Sequence, residues 1–149
     1  MATDHFKNAW KQLISIIKTE YSIFADTGRI FVSDKILWTD INYKDGILIR
    51  PMSDELLGER TEGRDDAFHI DLVYFKRYHP RVDYEDLTAF SENLIDLFET
   101  NRSNTTYWHY LGVENVDLNI EIPVDEDGVE IPSVYGFTMS LIILRGKYD

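Results

Sequence analysis

The stretch "HIDLVYFKRYH", residues 69–79, decides the fold. With the preceding Phe68, the residues Phe68, Ile70, Leu72 and Tyr74 alternate with His69, Asp71, Val73 and Phe75. A period of two is a strand, and apolar residues on both faces toward its end mark a central one. "YHPRVD" then leaves the sheet at Pro80. On such a strand His69 and Asp71 share a face about 7 Å apart, a spacing that suits a hydrogen-bonded pair behind a metal ligand or half of a metal site. The competing reading, a solvated pair on a polar face, is preferred. Pro80 carries His79 away, and His5 and His109 fall in a helix start and a loop. No two histidines have the i, i+4 spacing of a helical zinc site. No metal, cofactor or catalytic histidine is therefore expected.

Working outward, "FKNAWKQLISIIKTEYSIF" places Phe6, Trp10, Leu13, Ile17, Tyr21 and Phe24 at spacings of three and four, one apolar stripe on a helix. Thr3 or Asp4 can cap it, and Gly28 falls just beyond its end. "RIFVS" and "KILW" are short strand candidates, "YKDG" a turn, and "ILIRP" a strand ended by Pro51. Residues 53–66, "SDELLGERTEGRDD", show no sustained period and read as a long mobile loop. Asp83 caps a second helix whose stripe is Leu87, Phe90, Leu94, Leu97 and Phe98. Val116, Leu118, Ile120 and Ile122 alternate with Asp117, Asn119 and Glu121 as a further strand, and "YGFTMSLIILRGKY" returns as a buried one. The expected class is α+β, a mainly antiparallel β-sheet flanked by two amphipathic α-helices, in a single domain over residues 1–149.

Composition narrows the function. A chain of 149 residues, 44% hydrophobic, buries a real core, roughly 70% of its unfolded surface. No apolar run is long enough to span a membrane, and "MATDHFKNAW" lacks the charge and apolar order of a secretory leader, so a cytosol-made protein is expected. The absence of cysteine removes disulfides, thiolate zinc and cysteine nucleophiles. In that setting the sequons "NRS" and "NTT" are polar loop chemistry.

A net charge of −12 opposes nucleic-acid binding. Asp83, Glu85, Asp86, Glu92, Asp96 and Glu99 occupy 83–100 with no Lys or Arg. Glu114, Asp117, Glu121, Asp125, Glu126, Asp127 and Glu130 do the same over 114–130, while basic residues gather in "KNAWK" and "FKRYHPR". Acidic and basic faces on one small domain suit head-to-tail contacts between copies; simple solubility is the plainer reading.

Known catalytic patterns fail. With Gly128 at the sixth position of a calcium loop, Pro123 and Val134 stand where acids are required. "DINYKDG" puts Gly46 one place late. Neither a phosphate loop nor G-x-S-x-G occurs. A non-enzymatic role is expected.

The N-terminal helix, the strand "AFHIDLVYFKR", the helix "YEDLTAFSENLIDLFE" and the pair "VENVDLNIEI" and "YGFTMSLIILRGKY" together resemble the tail terminator (tail completion) proteins of tailed bacteriophages. The resemblance is one of pattern and covers most of the chain. It implies a hexameric ring that caps the tail tube and joins it to the head, with a head-closure or neck protein on its other face. It also implies a place in the virion. DNA would pass through without specific binding. In that setting Asp54, Glu55, Leu56, Leu57, Glu59 and Arg60 would form an arm touching the tail or a neighbour. Asp117, Glu121, Asp125, Glu126 and Asp127 would face the channel. Another neck ring protein, or an acidic DNA-mimic-type binding module, are the alternative readings.

Overall fold

The computed structural model describes residues 5–22, 24, 29–33, 45–60, 63–77, 84–104, 106–120, 127 and 134–145, with the backbone alone at 56–60, 63–65, 77 and 134. Helix α1 (His5–Glu20) buries Ala9, Leu13, Ile16 and Ile17 on one side. Phe6, Trp10 and Tyr21 of the expected stripe lie at the margin of that contact, partly buried against the core. Strand β1 (Ile30–Val32) falls within "RIFVS". "KILW", the first half of "YKDG" and the helix-capping candidates Thr3, Asp4 and Asp83 lie outside the described residues.

Strands β2 (Asp45–Arg60) and β3 (Gly63–Arg77) form one long antiparallel ladder. This corrects two expectations. Pro51 does not end its strand, and within the expected loop 53–60 and 63–66 are strand: all but the bulged Leu57 are paired, from Ser53↔His69 to Arg60↔Gly63. The register shifts between Pro51 and Ser53 and again between Leu56 and Gly58. Each bulge adds one residue and reverses the facing of everything after it, which erases a period of two. Pro51 is tolerated for a local reason. The Ile47 amide donates to the Arg29 carbonyl and the Ile49 carbonyl accepts from Ser33, so odd positions of β2 turn their polar groups toward β1. β1 pairs only as far as Ile49, so Pro51 lacks an N–H where no described strand needs one.

Helix α2 (Tyr84–Thr100) follows, then β4 (Tyr110–Asp117) and β5 (Val134–Arg145). The sheet order is β1-β2-β3-β5-β4, with β1 parallel to β2 and every other pair antiparallel. The chain is thus α+β. Strand β4 begins earlier than expected: His109 directly precedes it, and Leu118 and Ile120 lie beyond its end. A shift between Val113 and Asn115 disrupts its alternation.

Both helices pack on the face formed by Ile47, Ile49, Phe68, Ile70, Leu72, Phe137, Met139, Leu141 and Ile143. α1 starts beside Phe68, where Phe6 stacks on it at 4.8 Å, and its continuation brings Tyr21 against Phe90. α2 starts where Asp86 meets Lys76, sets Phe90 on Tyr74, and ends beside Leu111, level with Ile143 and Phe68. The two helices therefore run antiparallel. Gly136 permits the tight β3–β5 approach, since a Cβ there would fall on the Tyr74 carbonyl oxygen.

Candidate functional site

The sheet face turned away from the helices begins apolar. Leu48, Val73 and Phe75 are buried there, with Phe31 and Ile120 packed against them. Farther along the same strands it becomes polar. Arg50 Nε and Asp71 Oδ2 are 3.9 Å apart, a loose ion pair. His69 lies beyond, between two carboxylates: its Nε2 is 3.0 Å from Glu55 Oε2 and its Nδ1 3.6 Å from Glu114 Oε1. A neutral imidazole has one N–H and can donate to only one of them; the doubly protonated ring presents an N–H to each. The group links β2, β3 and β4 across the sheet surface.

A second polar cluster closes the helix-side face at its other end. The Tyr74 hydroxyl donates to Asp45 Oδ2 at 2.8 Å, Arg29 Nη1 lies 3.1 Å from Asp45 Oδ1, and Lys76 Nζ donates to Asp86 at 2.9 Å. Burial, and then the Asp45 charge, push the Tyr74 hydroxyl far above the ordinary tyrosine range. The hydrogen bond to Asp86 raises the Lys76 ammonium. Tyr21 is also raised, first by burial and then by Glu20 and Asp96. These groups hold elements together: α2 to β3, and the start of β2 to both Arg29 and β3.

A pocket of about 170 Å³ separates α2 from β4, lined by Ile95, Phe98, Glu99, Arg102, Leu111 and Val113 among others. It is smaller than the roughly 300–1,000 Å³ of ordinary small-molecule sites. Among the described residues no three His, Cys, Asp or Glu side chains are placed to hold a metal ion, and no helix is long and apolar enough to cross a membrane.

Of the expected arm, Asp54 and Glu55 are exposed on β2, and Glu55 is engaged by His69. The side chains of Leu56, Leu57, Glu59 and Arg60 lie outside the described residues. Of the expected channel acids, Asp117 is exposed at the end of β4, where its Oδ1 accepts the backbone and side-chain N–H of Asn119. Asp127 is exposed; Glu121, Asp125 and Glu126 lie outside the described residues. The His69–Asp71 pairing expected on one face resolves differently, since Asp71 faces Arg50 and His69 faces the two glutamates. Glu114 belongs to the acidic run already noted, but nothing local in the sequence ties it to His69.

Fold and surface thus define a class, an α+β domain with one helix-covered and one partly polar sheet face. No family model and no curated protein matches the chain.

Proposed function

We propose that this chain is a structural protein of a bacteriophage neck, forming a ring that caps the tail tube and joins it to the head. The observation that carries this reading is how the segments resembling a tail terminator come together. The strand 67–77 pairs with the closing strand β5, β5 pairs with β4, and both helices cover the same face. The ring's partners are further copies of the chain, the tail tube protein on one side and a head-closure protein on the other. DNA passes through the centre without being gripped, in keeping with a net charge of −12. The polar side chains of the sheet are compatible with this reading. His69, Arg50 and Lys76 are engaged with acids of their own chain.

Electron microscopy of the purified protein tests this. Closed rings with a central opening are expected, and the protein added to uncapped tails should occupy their head-proximal ends. A particle that stays monomeric and competes with duplex DNA for a basic protein would instead establish an acidic binding module.

A further inference from the structure

The two helices differ sharply in charge. α1 carries Lys7, Lys11 and Lys18 with Glu20 as its one acid, whereas α2 carries five acids and no base. Lys7, Lys11 and Lys18 are all exposed. At 100° per residue they fall within about 40° of one another, opposite Ala9, Leu13, Ile16 and Ile17. On α2, Glu85, Glu92, Asp96 and Glu99 are exposed and fall within about 60°, opposite Leu87, Ser91, Leu94 and Phe98. The remaining acid, Asp86, is held by Lys76. Both stripes point away from the sheet that the helices share, so side by side on one layer they face solvent.

We propose that the lysine stripe of α1 and the acidic stripe of α2 are the two halves of a contact between copies of this chain. The spacings match. From Lys7 the lysines step by four and then seven residues; from Asp96 backward the acids step by four and then seven. An antiparallel pairing of the helices therefore sets Lys7 opposite Asp96, Lys11 opposite Glu92 and Lys18 opposite Glu85 in one register. The same register sets Ile14 opposite Ala89. Ile14 packs partly against the core and leaves its outer part on an open patch between Lys11 and Lys18, and Ala89 is an exposed small apolar residue between Glu85 and Glu92. The contact so formed has an apolar centre and a charged rim, the usual anatomy of a protein interface. Antiparallel helices also set their dipoles favourably.

Each copy carries both halves, so a contact of this kind repeats from copy to copy and closes into a ring where its rotation permits. The inference deepens the ring reading and rests on it for the closed shape alone.

Sedimentation velocity tests it with two variants of exposed residues. One reverses the lysines (Lys7→Glu, Lys11→Glu, Lys18→Glu) and the other the acids (Glu85→Lys, Glu92→Lys, Asp96→Lys). The unaltered chain is expected to assemble at low ionic strength and to weaken as salt is added. Each variant alone should lose self-affinity by about 100-fold or more, with like charges now opposed. Mixed in equal amounts, the two should assemble again, because each supplies what the other lacks. Should reversal impair folding, judged by the melting temperature, Lys7→Gln, Lys11→Gln and Lys18→Gln remove charge more mildly and should weaken assembly by a smaller factor. Variants that assemble like the unaltered chain, or a mixture of folded variants that stays dissociated, would overturn this contact and leave the ring reading standing. An unaltered chain that is monomeric at every salt and protein concentration would overturn both.

Discussion

At the scale of single residues, the strongest constraints are places where the backbone or a buried polar atom has one solution. Gly136 is the first. Its missing Cβ lets β5 approach the Tyr74 carbonyl, and neither strand can retreat because both lie inside the sheet. We predict that Gly136→Ala lowers stability by about 1–3 kcal/mol, as overpacking in a rigid site does, measured as a lower urea midpoint. Tyr74 is the second. It is nearly fully buried, and its hydroxyl donates to Asp45. Removing it in Tyr74→Phe should cost about 1 kcal/mol at neutral pH, the usual net value of one hydrogen bond. The pH dependence has a definite sign. The folded chain keeps the Tyr74 proton well above the ordinary value, so an unfolded tyrosine ionises first, from about pH 10. The stability tied to Tyr74 is present below that pH and is lost as pH rises through and beyond it. Tyr74→Phe lacks this loss, so the stability gap between the two proteins should close above pH 10. Lys76, raised through Asp86, weakens both proteins on the same alkaline side. A gap that stays constant across that range would show that Tyr74 titrates normally in the fold.

At the scale of elements, legibility in the sequence followed how regularly each one buries a face. α1, α2, β3 and β5 each present a sustained period, and each was readable. The β2 arm was not, because bulges at Met52 and Leu57 interrupt its alternation, and charged residues fill a ladder that has no described strand on its outer edge. The alternation in the sequence places β4 too late along the chain because its residues mix buried, half-buried and exposed positions around the bulge near Glu114. The candidate site was legible only in part. His69 and Asp71 do share a face, but their partners Arg50, Glu55 and Glu114 come from strands whose register a local period does not report. Trp108 shows the same gap. It is fully buried, its Nε1 donates to the Asn101 carbonyl, and its backbone closes a bridge with Asn104, so it pins the connection from α2 into β4. A lone tryptophan in a polar connector carries no periodic signal. We predict that Trp108→Ala costs about 3–5 kcal/mol. Trp108→Phe should cost markedly less, since the ring volume largely remains while one hydrogen bond is lost. Thermal unfolding of the two variants measures the difference, and equal losses would mean that the hydrogen bond, not the packing, holds the connector.

At the scale of the whole molecule, charge decides which partners are admitted. Cations that meet acids of their own chain are poorly placed to reach phosphate: Arg29 with Asp45, Arg50 with Asp71, Lys76 with Asp86. The exposed Lys7, Lys11 and Lys18 of α1 form a basic stripe, and they sit on a body of net charge −12. A duplex approaching α1 would gain at most the release of counterions from about three phosphates, which gives a salt slope near −2.7 in log K. It would do so against the repulsion of the remaining acids, unscreened at low ionic strength over a Debye length of about 30 Å at 0.01 M. We therefore predict no shift of duplex DNA in a gel assay at low salt, where any electrostatic affinity would be at its greatest. Asp117 and Asp127, both exposed, belong to the acidic run that opposes such binding. The variant Asp117→Lys with Asp127→Lys changes the net charge by +4 (from −1 to +1 at each of two sites), leaving −8 from the −12 of the unaltered chain. It too should remain unbound, because the excess of acid is spread over the chain. A shift by the unaltered protein that fades with a slope near −3 as salt rises would mark α1 as a nucleic-acid surface, and a ring through which DNA slides freely would no longer fit the molecule.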